Sequence, residues 1–314
     1  MYRQLLVLLL IVLSRVSPAL AQSADAPPVT GTIIIAHGGG PEWDARVEAM
    51  ARQVRLPGPV EVGFLMGSGA TTHRFQDRVA NLVRQGATEI VVVPLLVSSH
   101  SGHYEQIQFL TGGLDQLDST MLHHLSLGGI KRPAGGIPLH ITHAIDGAPE
   151  IARVIASRAR ALATDPARQA LFLVAHGPNS AEDYAAWMAD LRRLADSVQS
   201  AAGFRNVLVE LVRDDAPEAV RHEAVTRIRE LISLQHDLTG EKVVVVPVLI
   251  STGRLSRVIL PRDLQGLPMV YTEEGLLPHE EVARWVEARV RQAESTFTDK
   301  ETAGEGVIDH RTPY

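Results

Sequence analysis

A chain of 314 residues is long enough for two domains of ordinary size. With 45% hydrophobic and 21% charged residues it reads as globular, and a formal charge of −6 supplies no basic field for nucleic acid. No cysteine is present, which excludes disulfides, thiolate nucleophiles and thiolate metal sites and leaves histidines and carboxylates as metal ligands.

The chain opens on MYRQLLVLLLIVLSRVSPALA, with basic Arg3, an apolar run over Leu5–Leu13 and an Ala19-Leu20-Ala21 ending. This is the pattern of a secretory signal (residues 1–21) cut after Ala21, because Arg15 interrupts the apolar run well short of a membrane span. The expected location is periplasmic or secreted, with no stable membrane insertion after cleavage. TGTIIIAHG then reads as a buried strand. PEWDARVEAMARQVRL predicts a helix, with Pro41 suited to its first turn and Trp43, Val47, Met50 and Val54 on one face. VEVGFL (60–65) is a second strand, and HRFQDRVANLVRQG a helix closed by Gly86. EIVVVPLLV (89–97) is apolar throughout, as strands buried on both sides of a parallel sheet are. SGHYEQIQFL begins a third helix, IPLHITHAI (137–145) is a fourth strand, and APEIARVIASRARAL a further helix.

The same order then returns. ALFLVAHG, NVLVELV, KVVVVPVLIS (242–251) and PMVYTE read as strands, separated by EDYAAWMADLRRLADSV and EAVRHEAVTRIRELI and followed by PHEEVARWVEARVRQA. Alternating strands and helices with short connections mean parallel sheets made of right-handed crossovers. The prediction is an α/β protein of two tandem domains, 29–165 and 168–294. Each is a parallel four-stranded sheet flanked by helices, the pair related by internal duplication. From Ser295 the chain is polar and non-periodic and reads as a disordered tail, 295–314.

In open α/β sheets, ligands bind beyond the carboxyl ends of the strands. His37 and His176 both sit there, each followed by glycine that lets the backbone turn sharply. Either could do chemistry or simply tie down a loop. The next such edge, VVVPLLVSSHSGHYEQI (91–107), crowds His100, His103, Tyr104 and Glu105 beside Ser98, Ser99 and Ser101. If helical, His100 and His103 share a face, and with His37 they resemble a three-histidine metal site with an open position. Glu105 could orient a histidine, bind metal or accept protons. In the second half, VVVVPVLISTGRLSRVILPRDL matches Pro247 to Pro94 and Ser251 to Ser98, but Arg254 and Arg257 replace the histidines, with Arg262 slightly beyond. Guanidinium groups suit carboxylates, so a ligand with anionic arms between the halves is one reading and a solvated helix face the other. LDSTMLHHLSLGGIKRPAGG (117–136) is extra in the first half, either a flap over the crevice or a solvent loop. Its adjacent His123 and His124 do not share a helical face, so the pair is not a chelate. No G-x-S-x-G, Walker, G-x-G-x-x-G or H-E-x-x-H pattern occurs.

IIIAHG, GATEIVVVPLLVSSHSGH, LVAHG and VVVVPVLIS, in this order and in two copies, resemble the class II tetrapyrrole metal chelatases, in particular sirohydrochlorin cobaltochelatases, over residues 30–290. The resemblance implies insertion of a divalent metal substrate, Co²⁺ or Ni²⁺ with Fe²⁺ a further candidate, into a carboxylate-rich tetrapyrrole, and no organic cofactor. It implies that His37 is the first-strand metal ligand. The family's second histidine stands at the position of Gly102 here, so His103 is favoured over His100, and the implied ligand set is His37, His100 and His103. His37, His103 and Glu105 carry the implied catalysis, and Ser98, Ser99, Arg254 and Arg257 bind the acid groups of the macrocycle. Such chemistry needs a hydrated ion held loosely and an acceptor for pyrrole protons, both of which imidazole supplies. The alternative is a non-catalytic periplasmic metal- or tetrapyrrole-binding protein on the same fold. Oligomeric state is left open.

Overall fold

The computed structural model describes residues 28–302; residues 1–27, with the expected signal at 1–21, and residues 303–314 lie outside the described residues. β1 (Thr30–Ala36) is the centre of the first sheet because Ile33, Ile34 and Ile35 are fully buried, alternating between its two faces. β2 (Val60–Phe64) and β3 (Glu89–Leu95) pair with it in parallel, and β4 (Leu139–Ile141) adds to β3, giving the order β2-β1-β3-β4. The intervening helices are α1 (Pro41–Ala51), α2 (Phe75–Arg84), α3 (Gly102–Thr111), α4 (Ser119–Leu127) and α5 (Pro149–Leu162).

The second half repeats the plan. β5 (Ala170–Ala175), β6 (Asn206–Leu211), β7 (Val243–Val248) and β8 (Met269–Tyr271) form a parallel sheet of order β6-β5-β7-β8. Around it lie α6 (Ala181–Ala202), α7 (Glu218–Thr239), a π turn (Leu255–Ile259) leading into α8 (Leu260–Asp263), and α9 (Glu280–Thr302). The duplicated α/β architecture expected from the repeat is therefore present.

α4 stands in the insertion 117–136, for which the sequence allows a flap or a loop, and two predicted elements have other bounds. The run 137–145 gives only a three-residue strand, because after Thr142 the chain turns inward and buries Ala144 and Ile145 completely. α9 continues to Thr302, past the expected start of the disordered tail, and the hydroxyls of Ser295 and Thr296 both donate back to the Gln292 carbonyl. Among the described residues no helix is long and apolar enough to cross a membrane.

One face of each sheet contributes to a single hydrophobic core. Ile34, Val91 and Val93 of the first sheet join Leu171, Leu173 and Val246 of the second through α5, α6 and α9, with Trp285 of α9 only 1% exposed. Arg153 pairs with Glu281 at 2.7 Å across the halves, and Arg257 grips both oxygens of Glu42 at 2.8 and 3.0 Å. The histidine-bearing strand ends of the two halves are thus held at a fixed relation.

Candidate metal centre

His37 follows the last residue of β1, and the next residue explains its orientation. Gly38 has φ +88°, and a Cβ there would lie 2.1 Å from the Met66 carbonyl oxygen, so only glycine fits. This turn folds the Gly38 carbonyl back to 2.6 Å from His37 Nδ1. A carbonyl only accepts, so Nδ1 carries the proton and Nε2 keeps its lone pair. The second half repeats the arrangement: Gly177 has φ +88° and His176 Nδ1 donates to its carbonyl at 2.9 Å. Ala-His-Gly is a device that aims an imidazole Nε2 outward from a strand end.

His103 lies in the first turn of α3, whose N-cap Ser101 accepts from the Tyr104 amide. Its Nδ1 is 2.8 Å from Gln106 Oε1. The buried Gln106 amide is itself oriented, because Nε2 donates to the Met121 carbonyl of α4 at 2.8 Å. His103 therefore also presents a lone pair at Nε2. The rings of His37 and His103 meet edge to face, centroids 4.4 Å apart at 84°. Burial lowers the basicity of both. It pushes His103 down to about 4, with the facing His37 adding to the effect, and holds His37 below the ordinary histidine range, so both are neutral at pH 7.

The second half adds a pair of different character. His176 Nε2 stands 3.1 Å from Asp215 Oδ2. Burial opposes charge on His176, but the Asp215 carboxylate and the Gly177 carbonyl outweigh it and raise His176 above the usual range. The same bond to His176 holds Asp215 below the usual carboxylate range. His176 acts electrostatically on His37 and His103, and Asp215 on His37, so the walls share one field. His124 of α4 also acts on His37 and His103, and its Nδ1 is buried without a hydrogen-bond partner. Among the described residues no three or more His, Asp or Glu side chains are gathered as a finished coordination shell.

The structure brings His37 and His103 together but leaves His100 apart from them. Ser101 caps α3, so His100 precedes the helix instead of sharing a face with His103, and its ring turns toward Asp190 of α6. Ser98 is buried and accepts from the His100 amide, while Ser99 donates its hydroxyl to Asp146, so both serines fasten the loop. Glu105 lies on the exposed side of α3, away from the roles of histidine support, metal ligand or proton acceptor open to it in sequence, and Gln106 is the residue that supports His103. Arg257 is committed to Glu42 and Glu273. Arg254 is exposed and open to an anionic group.

Gln106, Asp215 and His124 were not legible as site residues. Gln106 follows His103 by three residues, the spacing that places two side chains together on a helix. Asp215 sits just beyond β6, on the same sheet edge as His176. His124 belongs to a pair of which one member faces inward and the other outward. Two surface hollows, one between α6 and β6 and one along α7, contain none of these groups.

Comparison with known proteins fits this geometry. SirB from Bacillus subtilis, solved with Fe³⁺, is 19% identical over 87% of this chain and 98% of its own, with a TM-score of 0.59. The sirohydrochlorin chelatase SirB from Bacillus subtilis subspecies spizizenii, in complex with cobalt, is 18% identical over 87% and 98%, with a TM-score of 0.58. DR2241 from Deinococcus radiodurans, a multi-domain protein described as structurally similar to chelatases, is 20% identical over 84% of this chain and 55% of its own, at 0.50. No curated protein matches the sequence. The fold of both halves is therefore the one seen in these chelatase structures, to which this chain is similar over 87% of its length. Residues 31–162 match the CbiX family model.

Proposed function

We propose that this protein is a metal chelatase that inserts a divalent ion into a carboxylate-bearing tetrapyrrole such as sirohydrochlorin. The observation that carries the reading is the His37–His103 pair, two neutral imidazoles with Nδ1 anchored and Nε2 free, set edge to face at one sheet edge. The metal is the substrate. Two nitrogen donors with the remaining positions left to water hold it without trapping it. Insertion forms metal–nitrogen bonds and releases two pyrrole protons, so the centre also needs proton acceptors. In its neutral form His176 takes one such proton at Nε2, where the Asp215 carboxylate stabilises the imidazolium that results. Arg254 is free to pair with a macrocycle carboxylate. Co²⁺ is the first ion to test, then Ni²⁺ and Fe²⁺, since related structures hold cobalt and Fe³⁺.

The decisive experiment follows sirohydrochlorin absorbance with Co²⁺ and catalytic amounts of protein beginning at residue 22. Insertion faster than the spontaneous rate, abolished in His37→Ala and His103→Ala, is expected. No acceleration with Co²⁺, Ni²⁺ or Fe²⁺ would overturn the assignment. We further propose export on the signal-like pattern of residues 1–21, which would favour a second reading, a periplasmic protein that binds metal or tetrapyrrole without turnover. Stoichiometric binding with no turnover would select it, and cell fractionation tests the proposed export.

A further inference from the structure

The junction between the halves carries a second cluster, separate from the His37–His103 pair. His100 is pinned through its main chain: its amide donates to Ser98 Oγ at 3.1 Å, and Trp187 Nε1 of α6 donates to its carbonyl at 2.5 Å. Its half-exposed ring then places Nε2 at 3.7 Å from Asp190 Oδ2. Asp190 lies one helical turn after Trp187, with its side chain only 8% exposed. Arg193 donates to Oδ1, which orients the carboxylate, and Oδ2 is buried without a hydrogen-bond partner.

A gap of 3.7 Å is too long for a hydrogen bond. It matches the edge of a coordination polyhedron, because two donors each about 2.0–2.2 Å from one ion lie roughly 3–4 Å apart. Neighbouring charge points the same way. Asp146 is fixed by the Ser99 amide and hydroxyl at 2.7 and 2.6 Å, with His143 Nδ1 3.6 Å away, and its charge acts on Asp190. Burial first, and Asp146 second, disfavour negative charge on Asp190. A cation between His100 and Asp190 would give the orphaned oxygen a partner and offset that repulsion.

We propose that His100 and Asp190 form a second divalent-cation site at the junction of the halves, completed by water on the exposed side of His100. One imidazole and one carboxylate suit Co²⁺, Ni²⁺ or Zn²⁺ better than Mg²⁺ or Ca²⁺, which prefer all-oxygen shells. The site rests on this junction alone and stands independently of the chelatase reading.

Titrating Co²⁺ into the purified, untagged protein tests it, with stoichiometry read by calorimetry and ligand type by the visible absorbance of the bound ion. The wild type is expected to bind two ions per chain. Asp190→Asn and His100→Gln should each lose one ion while keeping the one that His37→Ala removes. Should Asp190→Asn fail to fold, judged by circular dichroism, His100→Gln decides alone. Undiminished stoichiometry in the folded variants would overturn the proposal, as would a wild type that binds only the His37-dependent ion. If the chelatase reading fails instead, the His37-dependent ion is missing and the Asp190-dependent ion remains.

Discussion

At the scale of single residues, what matters is how each imidazole is denied rotation. His37 and His176 are held by the carbonyl of the following glycine, whereas His103 depends on a side chain, Gln106, that α4 in turn holds. Replacing Gln106 by Leu keeps the volume and removes the acceptor. The His37-dependent ion should then bind about 10–100-fold more weakly, the usual effect of losing such an outer partner, as read by Co²⁺ titration. pH gives a second handle. Unfolded histidine takes its proton near 6.5 and folded His103 only near 4, so between those values the unfolded chain holds more protons. Stability should therefore fall as pH drops from 6.5 toward 4, and His103→Gln should flatten part of that slope in urea titrations at pH 7 and pH 5. The position of His37 at a strand's carboxyl end was legible because an apolar run precedes Ala-His-Gly in both halves, though its role was not, since duplication copies structural residues as readily. Gln106 was not, since an uncharged amide gives no sign in sequence that its oxygen will meet a ring nitrogen. His100 misled for a different reason: whether it shares a face with His103 depends on the residue at which α3 begins, and Ser101 settles that by capping.

At the scale of elements, α4 and α6 serve the centre without supplying the His37–His103 donors. The insertion 117–136, open in sequence to being a flap or a loop, contains a helix capped by Asp118, whose carboxylate accepts from the Thr120 and Met121 amides. Met121 packs so closely over Gly102 that a Cβ there would lie 2.9 Å from its sulfur. Arg74 Nε fastens the end of the insertion helix at the Gly128 carbonyl. The insertion is a strut for the α3 turn that carries His103. α6 reaches from the second half to the loop before that turn through Trp187. Trp187→Phe keeps the ring and loses the hydrogen bond, so stability should fall by about 0.5–1.5 kcal/mol in denaturant unfolding. Sequence periodicity found α6 through its apolar face but did not find the nine-residue α4. It could not say which loop they brace, because the bracing runs through main-chain carbonyls that every residue possesses.

At the scale of the whole molecule, the two halves share one hydrophobic core. A core shared through α5, α6 and α9 predicts a single cooperative transition, coincident by circular dichroism and tryptophan fluorescence. Trp285→Ala should lower stability by roughly 3–5 kcal/mol without splitting that transition. Trp285→Phe should cost much less, since the indole N–H is buried with no partner to lose. The duplication itself was plain from strand order, whereas the sharing of one core was not, because apolar faces show that something is covered but not by what.

The fused duplication also relaxes a constraint that symmetry would impose. In a dimer of identical halves, every substitution on one wall of the crevice would appear on its counterpart in the other copy. A histidine introduced after β3 would return after β7, and an arginine likewise. In this chain His103 follows β3 while Arg254 and Arg257 occupy the corresponding region after β7, and Asp215 has no acidic counterpart at Ser68. One copy has been free to specialise in neutral nitrogen donors and the other in charge.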